Sequence, residues 1–97
     1  MDIKEGRGKL YLIGSEQFIS DIDYKLYQDL DVEPARWWGE FYLDRGVKID
    51  EEEGYVIELE DGCKGRCYLK KLVNRVLPGI PAQSVYRVNG SGLLEPA

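Results

Sequence analysis

The chain of 97 residues contains no histidine and no threonine, and it has only two cysteines. Histidine is the commonest general base near neutral pH and the commonest metal ligand, so its absence excludes mixed Cys and His zinc sites and His-dependent nucleophiles within one chain. No apolar run approaches the roughly 18 residues that a membrane helix needs, and the start of the chain lacks a signal peptide's basic and then apolar order. We therefore expect a cytoplasmic protein without a membrane segment.

Charge is unevenly distributed along the chain. Residues 1–61 carry 17 acidic and 7 basic side chains, whereas residues 62–97 carry 1 acidic and 6 basic ones, and the formal net charge is -5. Such asymmetry can mark a charged binding segment, but the simpler interpretation is a basic C-terminal third that folds against an acidic remainder. The apolar fraction of 43% is typical of a folded chain, and we predict one small domain over residues 1–97.

Alternation of apolar and polar residues predicts strands along most of the chain. Period-two patterns cover residues 18–28, 36–44, 55–59, 63–69 and 84–95. The apolar run over 9–14, which stops at Gly14, predicts a further short strand, and Gly6 and Gly8 before it predict a loose start of the chain. From Leu69 to Leu77 the apolar spacing changes to three and four, which predicts a short amphipathic helix near 69–77 that ends at Pro78; an irregular crossover is the competing interpretation. The predicted fold is all-β, a mainly antiparallel small barrel or sandwich of five to seven strands with that one helix.

The segment ELEDGCKGRC, residues 58–67, predicts a hairpin. A two-residue Asp-Gly turn would place charges on the apolar face, whereas a three-residue loop over 60–62 with Gly62 left-handed pairs Leu59 with Cys63 and Tyr55 with Cys67. We choose the second register. Positions four apart in a strand lie roughly 13 Å apart at about 3.3 Å per residue, beyond the reach of a disulfide. Cys63 and Cys67 are thus predicted to be free, buried and structural, with no metal.

Two groups of residues are candidates for binding. Trp38 and Tyr42 fall on the strand face opposite the inferred core, where either the predicted helix covers them or a partner does. Arg66, Tyr68 and Lys70 share one strand face, with Lys71 near, and cations beside an aromatic ring suit a phosphate backbone and a stacked base.

The function expected from these residues is noncatalytic, because no nucleophile with a base and no paired carboxylates can be identified. We expect protein interaction or self-association through an exposed aromatic or sheet-edge surface, with Trp38 and Tyr42 as the aromatic candidates. The alternative is an anionic ligand, such as single-stranded nucleic acid, on the face formed by Arg66, Tyr68 and Lys70. No cofactor and no metal are expected, and an enzyme is the least favoured class.

Overall fold

The structure, a computed structural model, describes residues 2–44, 46–75, 78–79 and 83–96. Within these residues the regular elements are six strands: β1 (Asp2–Leu12), β2 (Phe18–Asp29), β3 (Arg36–Asp44), β4 (Gly54–Glu58), β5 (Lys64–Arg75) and β6 (Gln83–Glu95). All neighbouring pairs are antiparallel, and the strands close into a barrel in the order β1-β2-β3-β6-β5-β4. The predicted all-β small barrel is confirmed.

Alternate residues of the strands fill the interior of the barrel, because successive side chains of a strand point to opposite faces. The buried cluster comprises Leu10, Ile22, Tyr24, Leu26, Trp37, Phe41, Leu43, Tyr55, Ile57, Leu59, Cys67, Leu69, Tyr86 and Val88. Partly buried side chains from the loop after β3, Val47 and Ile49, pack against it. The inward face predicted for residues 36–44 is therefore correct.

The β4–β5 hairpin has the predicted register. Tyr55 lies opposite Cys67, and Glu58 lies opposite Lys64. The Leu59 N–H donates to the Cys63 carbonyl, and Gly62 has a φ of 92°. This left-handed conformation favours glycine. Both cysteines are free, as predicted, but only Cys67 is fully buried, whereas Cys63 is partly exposed at the end of the hairpin.

The helix predicted near residues 69–77 is wrong for residues 69–75. This segment continues β5 and pairs with β6 as far as Arg75 opposite Gln83, while Val76 and Leu77 lie outside the described residues. The register shifts between Lys71 and Val73, and a bulge of this kind inserts a residue into the alternation. The interrupted alternation of the strand therefore has the same spacing of apolar residues as a helix. Leu72, which the helix would have buried, is 41% exposed.

Strand β1 begins earlier than its apolar pattern predicts. Gly6 and Gly8 lie within the strand, opposite Tyr24 and Ile22 of β2. A Cβ at Gly8 would overlap the backbone carbonyl of Glu58. Glycine is present here because two backbones approach closely, which sequence alone does not distinguish from a loop. None of the described residues forms a helix long and apolar enough to cross a membrane.

Candidate ligand-binding face

Strands β5 and β6 bring the predicted basic residues next to two polar residues of β6. Three consecutive outward pairs cross the two strands: Lys70 with Arg87, Tyr68 with Asn89, and Arg66 with Ser91. On the far side of β6, Trp38 of β3 lies opposite Asn89. We call the set Arg36, Trp38, Arg66, Tyr68, Lys70, Arg87 and Asn89 the basic face.

Lys70 and Arg87 are two cations that lie directly opposite each other. Like charges in this position destabilise a sheet. Both side chains are exposed, and neither forms an ion pair with an acidic side chain in the described part of the chain. The acidic residue nearest in register is Glu40, opposite Arg87 on β3, and its carboxylate accepts a hydrogen bond of 2.8 Å from the Tyr42 hydroxyl.

Arg66 and Arg36 extend the positive charge along the face. Arg66 lies between Val56 of β4 and Ser91 of β6, so neither cross-strand neighbour is acidic. The Arg36 guanidinium carbon lies 5.6 Å from the centroid of the Trp38 ring, within the range of a cation–π contact. Neither arginine is in an ion pair with the residues described. The face therefore presents four cations that form no ion pair with the residues described, and among these only Arg87 has an acidic residue, Glu40, directly opposite it.

Tyr68 is the most open aromatic ring of the basic face. Its side chain is 58% exposed, and it makes no ring contact with another described aromatic residue. Its cross-strand neighbours are Asn89 and Gly54. Gly54 has no side chain, but the Ile13 side chain lies over it, 3.2 Å from where a Cβ would stand. Tyr68 is therefore open towards solvent and not along the sheet, and an exposed ring of this kind suits the stacking of a flat ligand.

Trp38 is partly covered, but not by a helix. The Tyr27 ring of β2 stacks on it with centroids 5.9 Å apart and planes inclined by 25°, and Arg36 lies over it. The predicted cover, a helix at 69–77, is absent from residues 69–75 because they belong to β5. Trp38 is therefore a half-buried member of an outer row that runs from Tyr27 through Asn89 to Tyr68.

Tyr42 and Lys71 lie apart from the basic face. Tyr42 lies opposite Asp23 and Val85, and its hydroxyl donates to Glu40. Lys71 follows Leu69 at a spacing of two, so it is on the opposite side of β5 from Tyr68 and Lys70. Its backbone N–H donates to Oε1 of Glu51, in the acidic loop after β3, at 2.7 Å. The structure thus brings together four of the six candidate residues: Trp38, Arg66, Tyr68 and Lys70.

A groove borders the basic face where β3 and β6 separate. The pairing of these strands ends at Trp38 and Asn89, and β6 continues beside β5 alone. The groove is lined by Pro34, Ala35, Arg36, Trp37, Trp38, Arg87, Asn89, Gly90 and Gly92. On its inner side the Trp37 indole packs so closely against Gly90 that a Cβ there would overlap the ring. The Trp37 Nε1–H is buried and has no acceptor among the described residues.

The two thiols are poor nucleophiles near neutral pH. Burial raises the pKa of Cys67 to about 12. A hydrogen bond to the Asp61 carboxylate, together with partial burial, raises the pKa of Cys63. The thiolate, and not the protonated thiol, is the form that acts as a nucleophile or binds a metal. The described residues also contain no group of three or more His, Cys, Asp or Glu side chains that could hold a metal ion.

Arg87, Asn89 and Arg36 were not singled out as candidates from the sequence. The alternation of residues 84–95 does identify Arg87 and Asn89 as outward residues of a strand. Their importance depends on pairing with β5 on one side and β3 on the other, and strand alternation carries no information about which strands pair. Comparison with protein families, with curated proteins and with solved structures finds no match for this chain.

Proposed function

We propose that this is a noncatalytic binding domain whose basic face binds single-stranded nucleic acid. The observation that supports the proposal is the direct pairing of Lys70 with Arg87, next to the open Tyr68 ring. Two opposed cations cost stability unless something compensates them. A phosphate backbone would compensate both, because it places anionic oxygens between the two side chains.

Each part of the face has a role in this proposal. Lys70, Arg87 and Arg66 contact phosphates, and Tyr68 stacks against a base. Stacking of a base on an aromatic side chain contributes about 1–3 kcal/mol by alanine substitution. It is tolerant of sequence, because every base has a flat π surface. The combination of cations and an exposed ring is typical of surfaces that bind single strands.

The negative net charge of the protein limits the expected affinity. The formal net charge is -5, so long-range attraction to a polyanion is absent. At physiological ionic strength, however, fields are screened over about 8 Å, and contacts at the basic face then depend on the cations within that distance. We expect modest affinity that falls steeply with salt: three phosphate contacts predict a slope of roughly -2 in log K against log salt.

Fluorescence anisotropy tests the proposal with a labelled single-stranded DNA of mixed sequence, about 12 nucleotides long, which is within the usual site size. Arg87→Gln should weaken binding by about tenfold in 50 mM salt and reduce the salt slope by roughly 1. Lys48→Gln is the matched control, because Lys48 is an exposed cation in the acidic loop after β3. It should change affinity by less than about twofold.

Two results would contradict the proposal. One is the absence of binding at about 100 μM protein in low salt, since even nonspecific binding has Kd values near or below this. The other is an equal loss of affinity in Lys48→Gln and Arg87→Gln, which would place the interaction outside the basic face.

A second candidate function is self-association, which an exposed apolar cluster near the β1–β2 turn supports. The Tyr11 and Phe18 rings meet edge to face with centroids 5.8 Å apart, and Phe18 is 50% exposed. Tyr11 lies opposite Val56, and Ile13, which is 36% exposed, lies over Gly54 two residues before Val56. Trp38 and Tyr42 are less exposed than Phe18: Tyr27 and Arg36 cover the Trp38 ring, and the Tyr42 hydroxyl donates to Glu40.

Sedimentation equilibrium at two salt concentrations tests self-association and distinguishes it from nucleic-acid binding. Apolar association should persist in 0.5 M salt and should be lost in Phe18→Ser, whereas nucleic-acid binding should be lost in salt and unaffected by Phe18→Ser. A protein that stays monomeric at about 100 μM in 50 mM salt and in 0.5 M salt would exclude self-association in the usual affinity range.

The proposal includes a cytoplasmic location, because two free cysteines fit a reducing compartment.

A further inference from the structure

Asn89 lies at the centre of the basic face. It is paired on both sides, with Trp38 on β3 and Tyr68 on β5. Three of the four cations surround it, each two residues along a strand from Asn89 or from Tyr68: Arg87, Arg66 and Lys70. Diagonal neighbours in a sheet lie about 7–8 Å apart, within the screening length of about 8 Å at physiological ionic strength. A charge at position 89 therefore acts on all three cations.

Asn89 is followed by Gly90, and the structure explains this glycine, because a Cβ there would overlap the Trp37 indole. The Asn89 side chain is exposed and hydrogen-bonds to no residue in the described part of the chain. Asparagine is a thermolabile residue. It is most labile before glycine, because the glycine nitrogen attacks the side-chain carbonyl carbon without obstruction from a side chain of its own. Asn89 and Gly90 thus form a reactive pair with a free amide.

The backbone that follows Asn89 is held less firmly than the rest of β6. Pairing with β3 ends at Asn89, so Gly90 pairs only with Cys67 of β5. Further on, β6 has residues 92–94 where β5 has Gly65 alone, and Gly92 has a φ of 76°. Pairing on one side, glycine and a bulge all lower the cost of local opening. Such opening lets the Gly90 nitrogen reach the Asn89 side chain.

We propose that Asn89 is a site of spontaneous deamidation, and that the carboxylate formed neutralises the basic face. The Gly90 backbone nitrogen loses its proton to solvent hydroxide and forms a bond to Asn89 Cγ. The bond from Cγ to the amide nitrogen breaks, and ammonia leaves. Water then opens the succinimide ring at either carbonyl and gives aspartate or isoaspartate, each with a negative charge. The effect on ligand binding rests on the proposed function, whereas the reaction does not.

Mass spectrometry of the native protein tests the reaction during incubation at neutral and at mildly alkaline pH. Asn89 should gain the mass expected when NH is replaced by oxygen, and faster at the higher pH, because the attacking nitrogen must lose a proton. Asn74, the only other asparagine of the chain, precedes Arg75 and should stay intact as an internal control. Asn89→Gln should resist as well, because its ring would be larger. Isomerisation at Asp61 and Gly62 leaves the mass unchanged and does not interfere.

Asn89→Asp reproduces the aspartate product and tests the effect of its charge. It should weaken binding of the single-stranded DNA about tenfold in low salt and reduce the salt slope by roughly 1, because the carboxylate offsets one cation. Without ligand it should raise the thermal midpoint by about 1–2 °C, because the carboxylate compensates the opposed Lys70 and Arg87. This gain should disappear in 0.5 M salt.

Gln17→Glu is the matched control, because it makes the same change from amide to carboxylate at an exposed position in the β1–β2 turn, outside the basic face. It should change affinity for the DNA by less than about twofold, and it should not reproduce the salt-dependent gain in thermal midpoint.

The failure of this inference is distinguishable from the failure of the proposed function. If Asn89 stays intact in the native protein while it deamidates in urea, or if Asn74 deamidates as fast, Asn89 is not such a site. If Asn89→Asp neither weakens DNA binding nor raises the thermal midpoint, its charge does not neutralise the face. If the wild type binds no DNA, the proposed function fails, and the mass and the thermal midpoint still decide the inference.

Discussion

The inner and outer faces of β3, β6 and β5 are made from alternate residues of the same three strands, yet they follow different rules. The inner face holds large apolar side chains, and Gly65 and Gly90 leave space for the Trp37 indole. The outer face opposes Lys70 to Arg87 and places an asparagine mid-strand. The inner face is consistent with selection for stability. The outer face tolerates arrangements that cost stability, which is a property of binding surfaces.

The adjacent tryptophans provide the largest expected difference between the two faces. Trp37→Ala should lower the free energy of unfolding by about 3–5 kcal/mol, because a large buried side chain is deleted. Trp38→Ala should lower it by about 1–2 kcal/mol, because only partial burial and the Tyr27 stack are lost. Urea unfolding of the two variants measures both values.

Trp37→Phe serves as a milder variant if Trp37→Ala does not fold. It keeps an aromatic ring and removes an N–H that has no acceptor among the described residues, so it should cost less than the alanine variant. Equal losses in Trp37→Ala and Trp38→Ala would contradict the assignment of the two rings to different faces.

Alanine substitutions at two glycines separate a steric cost to stability from a cost of backbone conformation. Gly90→Ala should cost about 2–3 kcal/mol, because a Cβ overlaps the Trp37 indole in the interior. Gly62→Ala has no atom within 4 Å of its new Cβ, so only the left-handed backbone opposes it, at about 1 kcal/mol. Thermal unfolding should rank them in this order. The reverse order would mean that the interior at Gly90 can relax around a methyl group.

Two exposed lysines on β5 differ in whether an acidic side chain compensates their charge. Lys64 faces Glu58 at 3.4 Å and also lies opposite Glu95, whereas Lys70 faces Arg87. Lys64→Gln should lower the free energy of unfolding by a few tenths of a kcal/mol, and Lys70→Gln should raise it by about as much. Both differences should shrink in 0.5 M salt. A destabilised Lys70→Gln would mean that Lys70 has a compensating partner.

The smallest expected effect concerns Asp61 at the hairpin end. A hydrogen bond of 2.9 Å from Lys4 and one from the Cys63 backbone N–H lower the pKa of Asp61 to about 2. A lowered pKa means that the ionised form stabilises the fold above the unfolded pKa of about 3.9, and that this contribution is lost as pH falls towards 2.

The magnitude at Asp61 should be a few tenths of a kcal/mol, because the Asp61 side chain is 51% exposed and water screens the pair. Urea unfolding of the wild type and of Asp61→Asn between pH 2 and 5 measures it. The stability difference between the two proteins should narrow as pH falls, and a constant difference would contradict the role of the ionised carboxylate.

The β4–β5 hairpin illustrates what local sequence specifies well. Tyr55, Ile57 and Leu59 alternate with Val56 and Glu58, and Asp61 and Gly62 define the turn, so that a single register satisfies both burial and charge. The same holds for residues 36–44, whose bounds as a strand were predicted as the structure has them. In both cases the deciding interactions join residues that are close in sequence.

Two features were misread because their cause lies elsewhere in the chain. The bulge between Lys71 and Val73 gives β5 a helix-like spacing, and only pairing with β6 keeps the segment extended. Gly8 resembles a loop residue, but it is required by the approach of the Glu58 carbonyl. Local propensity is weak compared with tertiary pairing in such segments.

By itself the sequence determined the all-β class, the inward face of most strands, the hairpin register and the basic character of residues 64–71. Only the tertiary structure decided that β6 lies between β3 and β5, and this placement joins Trp38, Asn89 and Tyr68 into one row. The reason is physical: side-chain alternation is a property of one strand, whereas the neighbours of a strand depend on how the whole barrel closes.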